Sequence, residues 1–150
     1  MANTTPTAIK TALVKLILGT SPRGAPGARH RYKLFSDRFD FETGSVTDAD
    51  LGFRIEDMGA GETMSFGTTA AAECQDSFVL RIGHAKQRDA DDLDNRIAED
   101  TQQLIQELIK PANLPASVWR IWPTSTSTTD HENWIETQIA FDITYSIAQV

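Results

Sequence analysis

"WIETQIAFDITYSI", residues 134–147, decides the fold. Ile135, Thr137, Ile139, Phe141, Ile143, Tyr145 and Ile147 occupy every second place, and Glu136, Gln138, Ala140, Asp142, Thr144 and Ser146 fill the gaps. Successive side chains of an extended chain point to opposite faces, so this pattern spells one long strand with an apolar face and a polar one. Burying each large side chain of the apolar row contributes ~1.5–3 kcal/mol, and a slip of one residue would send the whole row to solvent. A strand of this kind needs a sheet on both sides or a helical layer above it.

Working back from it, "TSTSTTD" (124–130) reads as a Ser/Thr-rich turn and "SVWRIW" (117–122) as a short strand, the hairpin partner of the last one. Before them, residues 88–110 have the periodicity of a helix. Leu93, Ile97, Leu104 and Leu108, flanked by Ile105 and Ile109, make a stripe about one third of the circumference wide. Asp89, Asp91, Asp92 and Asp94 crowd its start, where carboxylates oppose the positive end of the helix dipole. Lys110 stands at the other end and Pro111 stops the helix.

Further upstream, "SFVLRIGHA" (77–85) and "LGFRIE" (51–56) alternate as strands, the first with Phe78, Leu80 and Ile82 inward, the second with Leu51, Phe53 and Ile55. Between them, "GAGETMSFG" (59–67) reads as a glycine-bounded loop carrying Met64 and Phe66, and 56–78 as a broad hairpin connection. At the start of the chain, Thr5 can cap a helix over 6–18 with Pro6 in its first position and Gly19 at its end. Ile9, Ala12, Leu13, Leu16 and Ile17 share its inner face; a strand over 13–18 is the alternative. Residues 20–33, "TSPRGAPGARHRYK", form a loop or mobile arm in which Arg23, Arg29, His30, Arg31 and Lys33 gather. That arm is either a solvated linker or a segment that docks on an acidic partner or on phosphate.

The order helix, loop, strand, strand, helix, strand, strand predicts an α+β fold: an antiparallel sheet of about four strands with two helices packed on one face. At 150 residues, with no internal repeat or heptad pattern, the chain is expected to be a single domain with one core. A net charge of -7 argues against general binding to nucleic acid or anionic membranes. Cys74 is the only cysteine, which excludes an internal disulfide and fits synthesis in a reducing cytoplasm. Residues 8–18 are apolar but interrupted by Lys10 and Lys15, too short to span a bilayer, and are not expected to be a secretion signal.

Residues capable of chemistry are present without the patterns that chemistry needs. Asp89 starts an acidic run, but the calcium-loop template would require an oxygen ligand and a glycine where Leu93 and Asp94 stand. Gly59-Ala60-Gly61 lacks the third glycine of a dinucleotide loop and no Gly-Lys-Ser/Thr follows. His84 stands at a strand end, His30 and His131 lie in loops, and no two histidines have metal-ligand spacing. Asp130-His131-Glu132 reads as a polar turn, Cys74 as a loop or half-buried thiol, and Trp119, Trp122 and Trp134 as core and rim packing. No catalytic, cofactor-binding or metal-ligating residue is assigned, no cofactor is expected, and the expectation is that the chain is not an enzyme.

Four stretches in this order carry a resemblance: "TAIKTALVKLIL", "LGFRIED", "SFVLRIGHAKQRDADDLDNRIAEDTQQLIQEL" and "WIETQIAFDITYSI". Together they resemble the tail terminator (tail-completion) proteins of long-tailed bacteriophages. Those are small chains with an N-terminal helix, a few antiparallel strands, an Asp-initiated amphipathic helix and a long last strand. The resemblance covers about half the chain, and its most telling part is "VLRIGHAKQRDADDLDNRI", a strand running into an acidic helix start. It implies a virion protein, made in the host bacterial cytoplasm, that forms a homohexameric ring at the head-proximal end of the tail tube. Such a ring stops tube polymerisation and offers the surface on which the head is joined. The implied partners are other copies of the chain, the tail tube protein and a neck or head-completion protein. DNA passes through the ring without specific binding, and no membrane is involved. Arg23, Arg29 and Arg31 of the arm, with Met64 and Phe66, are the expected interface residues. Two other readings stand beside it: a related neck or head-completion protein, and a small ligand-binding or enzymatic α+β domain, in which Cys74, His84 and His131 would have to meet.

Overall fold

The computed structural model describes residues 6–22, 32–34, 51–56, 62–66, 71–86, 93–131 and 134–148, and for residues 6, 62–66, 71–73 and 147–148 the backbone alone. The elements are α1 (Pro6–Leu18), β1 (Lys33–Leu34), β2 (Gly52–Glu56), β3 (Glu62–Phe66), β4 (Ala71–Ala85), α2 (Leu93–Ile109), β5 (Val118–Asp130) and β6 (Trp134–Ala148). The α+β class stands as expected, with two helices and a sheet. Among the described residues no helix is long and apolar enough to cross a membrane.

The sheet order is β1-β2-β4-β6-β5, with β3 pairing β4 off this path. All pairings are antiparallel except the two-residue β1, which runs parallel to β2. β4 and β6 are the spine: they pair along their whole length, from Ala71 opposite Ala148 to Ala85 opposite Trp134. β2 lies against the second half of β4 and β3 against the first.

Three expectations change. The segment carrying Met64 and Phe66 is a strand, not a loop, because β4 begins at Ala71, six residues earlier than the apolar run at 77 suggests, and offers β3 a partner. Residues 124–130 are not a turn: β5 continues through them to Asp130, and its antiparallel partner β6 begins at Trp134. β-branched Thr alternating with Ser is compatible with an extended backbone once a partner strand supplies the hydrogen bonds. Cys74 lies within β4 and is buried, not in a loop.

Residues opposite each other in an antiparallel ladder share a face, and register places Phe53, Ile55, Phe78, Leu80, Ile82, Ile139, Phe141 and Ile143 together. All are buried, and they join Ile9, Leu13 and Ile17 of α1 and Leu104 and Leu108 of α2 in one core cluster. Both helices therefore cover the same face of the sheet. At its centre the rings of Phe78 and Phe141, directly opposite in register, stack at 5.0 Å. The alternation of β6 holds from Thr137 to Tyr145 but inverts at its start, where Trp134 and Glu136 are buried and Ile135 is only partly so.

The entrance to β2 is held tightly. Leu51, buried in the core, has φ 61°, the left-handed region that L-residues with a branched side chain resist. Its N–H donates to Gly83 (2.8 Å) and its carbonyl accepts from Lys33 (2.9 Å). Tyr32, within the stretch expected to be a loop, is buried with its ring edge-on to Phe53.

Candidate assembly surface

β5 is the outermost strand of the sheet on one side, and among the described residues nothing pairs with its outer edge. It has 13 residues, and a long unpaired edge presents a row of free backbone N–H and C=O groups, ready to pair with another chain. Its two halves differ.

The first half carries Trp119 and Trp122, which are 58% and 51% exposed. A register shift between Val118 and Arg120 bulges the strand there, and the Arg120 guanidinium lies 4.9 Å from the centre of the Trp122 ring. Trp122 pairs with Asp142 on the sheet face opposite the helices, so neither helix can cover it. This corrects the expectation that all three tryptophans pack in core or rim: only Trp134 is buried. Tryptophan and arginine are the residue types that dominate binding energy at protein interfaces.

The second half, residues 124–130, is exposed throughout and bears no charge before Asp130. Above it lies a groove of about 510 Å³, with Ile97, Ala98 and Ile105 of α2 on one side and Thr126, Thr128 and Thr137 on the other. Gln102 and Gln106 rim it, and Asp94 is its single charged lining residue. The hydroxyls of Thr101 and Thr137, both lining this groove, are buried with no hydrogen-bond partner.

On the face of the sheet away from the helices, charges are paired in a row. Arg54 and Arg81 stand directly opposite each other, a like-charge contact that Glu56 relieves by bridging both. Arg81 also donates through Nε to Glu136 Oε2 at 2.7 Å. Burial alone would lower the Arg81 pKa, but Glu136 and Glu56 outweigh it and raise the pKa, holding the guanidinium charged. His131 lies 3.5 Å from Glu136 and stacks, tilted, on Trp134.

A second polar pair sits under α2. His84 and Asp100, both fully buried, meet Nε2 to Oδ2 at 2.9 Å and tie the end of β4 to the helix. Arg96 and Asp100 are buried although charged; Asp100 stands three residues after Ile97 and four before Leu104, so helical spacing places it on the apolar stripe and only its residue type speaks for solvent.

Cys74, His84 and His131 are not brought together. Cys74 and His84 lie ten residues apart on one strand, about 33 Å at ~3.3 Å per residue. His84 faces the helices while His131 contacts Glu136 on the other face. Among the described residues no group of three or more His, Cys, Asp or Glu side chains could hold a metal ion. Of the expected interface residues, Arg23, Arg29 and Arg31 lie outside the described residues, as does His30, and Met64 and Phe66 are placed only as backbone positions of β3. Asp89, Asp91 and Asp92 of the acidic helix start, and Glu132 of the polar turn, also lie outside the described residues.

Comparison of the sequence with models of known protein families and with curated proteins finds no match in either.

Proposed function

We propose that the chain is a structural virion protein that forms a ring at the head-proximal end of a bacteriophage tail tube. There it ends tube polymerisation and provides the surface to which the head is joined through a neck or head-completion protein. One observation carries this reading: an outermost strand of 13 residues whose outer edge is unpaired among the described residues and which bears two half-exposed tryptophans. A protein that acts by association needs such an edge. The element order on which the resemblance to tail terminators rests, a first helix, antiparallel strands, a second helix and a final hairpin, supports it further. The net charge of -7 suits a ring through which DNA must slide, because a wall that attracted phosphate would retard it. Arg23, Arg29 and Arg31, the concentrated positive charge, are the residues we assign to contact with an acidic partner on the tube or neck.

The test is to add the purified chain to polymerising tail tubes and follow their ends by electron microscopy. Caps on one end of each tube and arrested growth are expected. Tubes that keep growing, bare at both ends, in excess of the chain would overturn the proposal.

A further inference from the structure

Resting on the ring reading, we propose that the groove between α2 and the outer half of β5 is the seat of a strand from a second copy of this chain, and that the donated strand is β3. Apart from the two-residue β1 that ends the sheet beside β2, two strands have a single partner among the described residues: β5 on one side and, across the spine, β3, which pairs with β4. A contact between two different surfaces of identical subunits is head-to-tail, the kind that closes into a ring when the rotation per subunit divides the circle. Joining β3 of one copy to β5 of the next makes such a contact by strand addition, with backbone hydrogen bonds supplying affinity.

The dimensions agree. β3 has five residues, a length of about 17 Å, and residues 124–130 of β5 offer a slightly longer edge. The chemistry agrees as well. Residues 123–129 carry no charge, the groove is lined by hydroxyls, amides and aliphatic groups with Asp94 alone charged, and β3 has one charged residue, Glu62. For a chain of net charge -7, a nearly neutral seam is where copies approach with least repulsion.

The groove also holds buried hydroxyls, those of Thr101 and Thr137. Leaving a buried hydroxyl unpaired is unfavourable, and both line the groove without a partner in their own chain. A strand laid along β5 would close the open side of the groove.

Two sets of variants test this in the full chain. Thr126→Lys with Thr128→Lys places two cations on the exposed β5 wall of the groove. If the seat is real, the wild type assembles on tubes or at high concentration, the double variant loses assembly at least tenfold, and both melt at the same temperature. Wild-type assembly that the variant matches would overturn the groove while leaving the ring reading in place; a wild type that never assembles would overturn both. In a Cys74→Ser background, Ser65→Cys combined with Thr128→Cys should give a ladder of disulfide-linked copies on mild oxidation, and neither single cysteine should. A ladder absent from assembled wild-type-like rings would overturn the pairing of β3 with β5.

Discussion

Arg81 of β4 holds Glu136 of β6 diagonally across the ladder, Nε to Oε2 at 2.7 Å, and Glu136 is only 2% exposed. The carboxylate thus has little access to water, and the guanidinium is its main ionic partner. Removing the partner leaves a buried anion, a loss of about 3–5 kcal/mol for fully buried pairs. Arg81→Ala should fall near ~3 kcal/mol, because Arg81 itself reaches solvent. Urea unfolding of the variant, with Arg81→Ala/Glu136→Gln beside it, checks this; the double variant should recover part of the loss.

Leu51 sets core burial against backbone strain. Its side chain is 1% exposed, so Leu51→Ala should cost about 2–5 kcal/mol. Glycine removes the same side chain but is at ease at φ 61°, where alanine is strained. Leu51→Gly should therefore be no less stable than Leu51→Ala, the reverse of the usual ranking within strands. Thermal melts of the two proteins decide it.

Burial, with the neighbouring Asp76 carboxylate and Cys74 after it, pushes the Tyr145 hydroxyl above its ordinary value near 10. The unfolded chain then gives up this proton more readily than the folded one. The neutral hydroxyl's contribution is complete below about pH 10 and is lost as pH rises through the folded pKa. Tyr145→Phe cannot ionise, so its stability should fall less steeply above pH 10 than that of the wild type. Equal slopes in denaturant titrations at pH 9 and 11 would contradict this.

Trp119 and Trp122 contribute exposed area to the outside of the sheet, and little to its inside. Replacing both by Ser should change stability by about 0.5 kcal/mol or less, the usual range for surface positions. The same replacement should weaken assembly on tubes by tenfold or more if these residues anchor the contact. Melting temperature and tube-end occupancy, measured on one preparation, separate the two effects.

Much of this fold is legible from residues alone, and the parts that are not share a cause. α1 runs from Pro6 to Leu18 as its cap, proline and glycine indicate, and β6 follows its alternation from Thr137 to Tyr145, where a single buried face determines it. α2 ends at Ile109, since Lys110, held extended (ψ 119°) before Pro111, cannot continue it. β3 has only Met64 and Phe66 between glycines, and the second half of β5 has no apolar residue; they are strands because β4 and β6 lie alongside them, and tertiary partners leave no local trace. The exposed tryptophans are hidden for the same reason. Their residue type suggests burial, and only the sheet order shows that β5 has no strand beyond it among the described residues. His84 and Asp100 sit sixteen residues apart in different elements, so their meeting follows from how α2 crosses β4; helical spacing puts Asp100 on the apolar stripe, and its charge is what disguises it there.

The central claim is that this chain works by joining copies of itself at a tube end. Native mass spectrometry of the species released from purified capped tubes tests it most directly. The account predicts a six-copy ring, dissociating to monomers when Trp119, Trp122, Thr126 and Thr128 are substituted. A chain that remains monomeric at every concentration, with tubes present, would contradict it.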